Sequence, residues 1–201
     1  MATVTKVSDY VVAAICGNFW QESGINPAVW QSLATGKTWT DLNVGYGLGQ
    51  WTNTDGDTHG RLYKLHEYLS TNGYSDDDGD GELDFLLHED YWTPNSSYTF
   101  NTLQDFLDST STDITMLTHA WNICWEGIHD STWDLRVTHA QNVYNYLQSH
   151  SKDTNTWIKG NRYLSNDERY NNAVLVFQYL SGYHGKKGGM PVYMMIRRRR
   201  F

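Results

Sequence analysis

The sequence predicts an α+β protein, mainly helical, with one small β-hairpin patch. Apolar residues recur at helical spacing over most of the chain. The stretch that breaks this pattern, Trp39 to Thr58, sets short aromatic runs among Gly, Thr, Asn and Asp. No internal repeat is visible, and 201 residues at 39% apolar content suffice for a single core. The expected division is a main domain over residues 1–150, then linker, short helix and basic C-terminal extension over 151–201.

Ser8 is an N-cap for a helix from Asp9 to Ser23, with Val11, Val12, Ile15 and Phe19 as its apolar stripe; Gly24 and Pro27 stop it. The Gly-rich stretch 39–58 reads as a hairpin or three-stranded patch. Helical pattern resumes over His59 to Leu69, where Leu62, Leu65, His66 and Leu69 share a face. An acidic loop, Ser75 to Asp84, precedes a helical run from Leu83 to Tyr91. Further helices are expected over Leu103 to Asp108, Asp113 to Glu126, Trp133 to His150 and Asp167 to Leu180. Residues 151–165 are polar and read as a linker, and the end, GGMPVYMMIRRRRF, reads as strand-like.

Aromatic residues make up 14% of the chain, with 9 Trp and 14 Tyr, more than a core of this size needs. Sugars stack their apolar faces on such rings, so a carbohydrate-binding cleft is expected. The net charge is −8, and because four of the cations are Arg197 to Arg200, the body is more acidic still. Such a surface repels phosphate backbones, so nucleic acid is not an expected partner. Cys16 and Cys124 each sit in an apolar helical pattern and read as buried free thiols, outside any disulfide framework or thiolate metal cluster. The opening residues lack a basic run followed by an apolar one, and no stretch approaches the length of a membrane span. Neither a signal peptide nor membrane insertion is expected.

Glu22 stands out on pattern. It lies three, seven and eleven residues after Phe19, Ile15 and Val11, so it projects along the core-facing stripe, and it ends a helix whose macrodipole disfavours a negative charge there. Both effects favour a protonated carboxyl, which a general acid for glycosidic cleavage requires. The plainer alternative is that Glu22 marks where the stripe meets solvent.

The segment FWQESGINP at 19–27, followed by GYGLGQWT at 45–52, resembles the signature of the phage tail-lysozyme family. More broadly, a Glu-Ser at a helix end followed by a G-x-x-Q strand is similar to goose-type lysozymes and lytic transglycosylases, and the stretch 120–147 resembles the family's aromatic-Trp-Glu turn and closing helix. The resemblance covers roughly residues 8–150. It implies a lysozyme-like fold, with the hairpin beside a catalytic helix that ends in the acid, Glu22. It further implies that Tyr46, Gln50 and Trp51 line the cleft from the hairpin side and that Trp125 and Glu126 face them, all contacting substrate. Core packing is the alternative for Trp125, and satisfying backbone donors the alternative for Glu126. In hen-type lysozymes a second carboxylate precedes the matching strand; here Gly45 takes that place. Asp41, Asp55 and Asp57 are the nearest carboxylates, with Asp41 the candidate for a second catalytic group, although Asp in hairpin turns is common for local reasons.

Asp76, Asp78, Asp80, Gly81 and Asp84 match positions 1, 3, 5, 6 and 9 of a calcium loop, but position 12 is Leu87. The two readings are a structural calcium site, held by Asp76, Asp78 and Asp80, and a solvated acidic turn. No cofactor is expected for the chemistry itself. The chain has no HExxH motif, no Gly-x-Ser-x-Gly elbow and no phosphate loop, and Cys16 inside an apolar helix is badly placed for a nucleophile.

The reading that results is a muramidase acting on the MurNAc-GlcNAc bond of peptidoglycan, a phage tail-associated or endolysin-type lytic enzyme. Its partners are the bacterial wall and other tail components, and its place is the virion tail or the host wall. Its acidic body favours the tethered form, since anionic walls repel it. The alternative is a non-catalytic glycan-binding or structural tail module on the same fold.

Overall fold

The computed structural model describes residues 7–182 apart from 55, 90, 129, 130 and 152. Asp55, Lys186, Lys187, Arg197 to Arg200 and the segment read as strand-like all lie outside the described residues. Within them the architecture is mainly helical with one small antiparallel sheet, as the sequence predicts. The order is α1 (Asp9–Ser23), a 3-10 turn (Gln31–Leu33), β1 (Gly45–Tyr46), β2 (Trp51–Thr52), α2 (Arg61–Thr71) and α3 (Gly79–His88). Then come α4 (Leu103–Leu107), α5 (Ile114–Trp121), a π-helical turn (Asn122–Glu126), α6 (Trp133–Ser149) and α7 (Asn166–Gly182). No helix of the described residues is long and apolar enough to cross a membrane.

Helix α1 is the axis of the molecule. Ser8 caps it by accepting from the Val11 amide, and Gly24, left-handed at φ 67°, ends it. The apolar stripe expected on one face is in fact burial all round: every residue from Val11 to Trp20 is buried, because α5, α6 and α7 all pack against it. The run of small and branched residues VVAAICG permits this, since no bulky polar group interrupts it. At Gly17 a Cβ would stand 2.6 Å from the Arg136 carbonyl and 2.7 Å from the Ala140 Cβ, so only glycine lets α6 approach this closely. That crossing sets Arg136 beside the last turns of α1.

The sheet is minimal. Gly45 pairs with Thr52 and Tyr46 with Trp51, with single bridges from Trp30 to Tyr46 and from Leu42 to Asn53. Its ties to α1 and α3 fix its position: the Ser23 hydroxyl, at the end of α1, donates to the Leu48 carbonyl at 2.9 Å, and Glu82 on α3 accepts from the Leu48 amide at 2.7 Å.

The third helix begins four residues earlier than the pattern implies. Asp78 is its N-cap, accepting from the amides of Asp80 and Gly81, so the acidic loop is largely a capped helix start. Cys16 and Cys124 are buried free thiols, and burial pushes the Cys16 thiol far up, which leaves it inert. The described residues of 151–165 carry no helix or strand but are tied to the body. Asn26 donates to the carbonyls of Gly160 and Arg162, Lys159 pairs with Asp77 at 2.8 Å, and Trp157 donates to Asp80. Buried Asn172 on α7 donates to the Ile25 carbonyl at 2.8 Å, anchoring α7 against the end of α1.

Candidate active site

A cleft of about 380 Å³ opens at the end of α1. Its walls include Trp20, Glu22, Trp30, Gln50, Tyr163 and Arg169. Glu22 reaches it because Gly24 stops the helix two residues later, turning the chain away and leaving the last turn half-open.

Glu22 does not stand alone there. The Arg136 guanidinium donates to its Oε1 at 2.6 Å, donates through Nη1 to the Asn18 side chain at 3.3 Å and through Nε to the Thr132 hydroxyl at 3.1 Å. The Arg136 side chain is 2% exposed and that of Glu22 19% exposed. This contact replaces the isolated, desolvated carboxyl expected from the stripe: an ion pair between residues 114 positions apart, invisible to spacing along one helix. The planar fork of arginine suits three acceptors at once and locks the carboxylate in one orientation.

Glu126, in the π-helical turn, is the carboxyl next to this pair. Burial, and secondarily the charge of Glu22, push it well above the usual carboxylate range, with Arg136 and Arg61 opposing; its Oε1 accepts from the Trp121 indole at 3.3 Å. Both effects favour the protonated form of this carboxyl beside the Glu22–Arg136 pair.

The other predicted site residues divide sharply. Gln50 lines the cleft, held at φ 48° with its amide donating to the carbonyls of Val29 and Gly47. That strained backbone is kept by two side-chain bonds. Tyr46, Trp51 and Trp125 do not line it. Trp51 and Trp125 are 0% exposed and meet edge to face at 5.8 Å, and Tyr46 is 5% exposed beneath Trp30 and Trp39, so all three shape the hairpin from inside. Asp41 is likewise away from the cleft: it closes its own turn by accepting from the Thr38 amide and hydroxyl and pairs with Lys37 at 3.8 Å. Asp57 accepts from the His59 amide in a similar local turn. Gly45 has no room for a carboxylate, since a Cβ there would lie 2.9 Å from the Gln50 side chain.

The three aspartates of the calcium reading are each engaged elsewhere: Asp76 with His66 at 2.9 Å, Asp78 with the α3 amides, Asp80 with the Trp157 indole. Among the described residues no group of three or more His, Cys, Asp or Glu side chains is placed to hold a metal ion.

Sequence reasoning missed Arg136, Arg169, the aromatic wall of Trp20, Trp30 and Tyr163, and Glu82. The last is fully buried, with Oε2 on the Leu48 amide and Oε1 without a partner, and burial pushes its carboxyl well above the usual range, opposed by the Leu48 bond. The native state thus keeps a proton that the unfolded chain releases above about pH 4.5, so stability falls as pH rises from there. Glu82→Gln is expected to flatten that fall, matching the parent near pH 4 and melting above it at pH 8; parallel melting curves across that range would count against a buried neutral carboxyl. Glu126 contributes in the same direction, so some slope remains.

Compared with known proteins, the chain matches the family model described as phage tail lysozyme over residues 1–147. No curated protein matches it.

Proposed function

Because the chain belongs to the phage tail lysozyme family, we propose that it cleaves the glycan strands of peptidoglycan at the bond between N-acetylmuramic acid and N-acetylglucosamine, with Glu22 as the catalytic acid. Membership implies a lysozyme-like role in cell-wall lysis. The observation that carries the finer reading is the carboxyl of Glu22 opening into an aromatic-walled cleft while a buried arginine holds it from behind.

Glu22 delivers a proton to the leaving glycosidic oxygen, and Arg136 stabilises the carboxylate that remains. Glu126, whose burial favours its protonated form, adds little opposing charge, and the proton that Glu22 gives up is replaced from solvent through the open cleft after each turnover. Trp20 and Trp30 offer ring faces for the sugars, and Gln50, its amide N–H groups held by Val29 and Gly47, borders the cleft from the hairpin side. The protein acts at the virion tail or the host wall, alongside other tail components. Its net charge of −8 suits an enzyme delivered by attachment instead of attraction.

A water completes the displacement in this reading. A second course, attack by the sugar's own 6-hydroxyl, is favoured by one observation: Asp41, the candidate for holding a water, sits in its own turn outside the cleft. Digestion of purified walls in heavy-oxygen water, read by mass spectrometry, tests both. Labelled reducing ends are expected. Ends lighter by one water replace hydrolysis by transglycosylation and leave glycan cleavage standing. No new ends at all would leave a glycan-binding or structural tail module as the function.

A further inference from the structure

Two charged side chains line the cleft, and they are differently provided for. Glu22 has Arg136. Arg169, on α7, forms no ion pair among the described residues, and its Nε is buried without a hydrogen-bond partner. Its guanidinium lies 5.2 Å from the centre of the Trp20 ring and closes on the backbone at Gly24, where a Cβ would come within 3.2 Å of Nε. Burial lowers the affinity of Arg169 for its proton. The other basic group of the wall, His139, stacks on the Trp20 ring at 5.0 Å, and burial, then the charges of Arg169 and Arg136, hold it below the usual histidine range, so it is neutral at pH 7. Tyr163 stands beside this group with 71% of its surface exposed.

An unmatched half-buried cation in a protein of net charge −8 is costly to keep without an acceptor, since each buried donor left open forfeits its hydrogen bond. Acidic side chains are abundant in this chain, yet among the described residues none pairs with Arg169. Tyr163 and Arg169 also lie beyond residue 147, where the match to the family model ends. Helix α7 is nevertheless fastened against the end of α1, where Asn172 donates to the Ile25 carbonyl.

We propose that Arg169, backed by Trp20 and flanked by Tyr163, is a carboxylate-binding subsite for the acidic side arm of the glycan substrate, supplied by the chain beyond the family-matched region. The inference rests on the glycan-cleaving reading for the identity of the ligand, not for the existence of the site. The side arm of a muramyl sugar carries a carboxylate in either of two forms: the lactyl group when bare, or the stem peptide when substituted. A guanidinium reads both by the same paired donors.

The test compares Arg169→Gln and Arg169→Lys, each with and without Glu22→Gln, on three probes: soluble strands bearing stem peptides, strands stripped by an amidase, and neutral chitohexaose. Calorimetry on the Glu22→Gln forms gives affinity, and KM against kcat on the active forms gives the split. Arg169→Gln is expected to weaken binding of at least one carboxylate-bearing strand about tenfold, with KM raised to match and kcat within about twofold. Chitohexaose binding should be unchanged, and lysine should recover part of the loss. Loss confined to stripped strands assigns the lactyl carboxylate, and loss confined to peptide-bearing strands assigns the stem. Equal loss on chitohexaose, or no loss on either charged strand with circular dichroism unchanged, overturns the subsite. If the parent cuts nothing but Arg169-dependent binding persists, the cleavage reading fails and the subsite stands; cleavage that is indifferent to Arg169 gives the reverse.

Discussion

Glu22→Gln is expected to reduce wall cleavage by about a thousandfold, the scale on which a positioned general acid contributes. The amide keeps the shape of the side chain and still accepts from Arg136, so loss of activity in this variant isolates proton transfer from cleft geometry. The substitution is not neutral for stability. It leaves a guanidinium that is 2% exposed facing an uncharged group, and breaking a buried pair from one side is destabilising. Because the glutamate is 19% exposed and the hydrogen bond survives, the expected cost is about 1–2 kcal/mol, below the range for full burial. Turbidity clearing of purified walls and a thermal melt on one preparation give both quantities. Activity within tenfold of the parent would remove Glu22 from the acid's role.

Much of this site was legible in the sequence where the determinant is local. The bounds of α1 follow from Ser8 and Gly24, and with them the position of Glu22 at the last turn. The hairpin is recognisable from its glycines, and Gln50 from the matching strand. What could not be read depends on pairing between distant elements. Trp51 and Trp125 look like sugar-stacking rings in a sequence rich in aromatics, but they face each other across the core. The aspartates at 76–84 fit a calcium spacing, and in the fold Asp78 caps the helix starting at Gly79 while Asp80 stands in its first turn. Arg136 lies in a helix whose buried positions, Ala140, Val143 and Leu147, give no hint that a cation shares their face. Only the close approach at Gly17 brings it to Glu22.

That dependence makes Arg136→Met the substitution with the largest expected effect on the fold. The methionine fills much of the arginine's volume but leaves Asn18, Thr132 and Glu22 without their shared donor. Losing one partner of a buried ion pair costs about 3–5 kcal/mol, and here the value should fall near 3, since Glu22 still reaches solvent. Cleavage should drop about a hundredfold, because an acid no longer held in one orientation loses the benefit of positioning. Arg136→Lys keeps the charge but offers no planar fork, so it should restore part of the stability and little of the activity. The double variant Glu22→Gln, Arg136→Met decides whether the pair acts as a unit. With no charge left to strand, it should be more stable than Arg136→Met alone, giving a coupling of roughly 1–3 kcal/mol in a double-mutant cycle while remaining inactive. Strictly additive losses would mean that Arg136 supports α1 through Asn18 alone, and that Glu22 is oriented by something other than the contact at 2.6 Å.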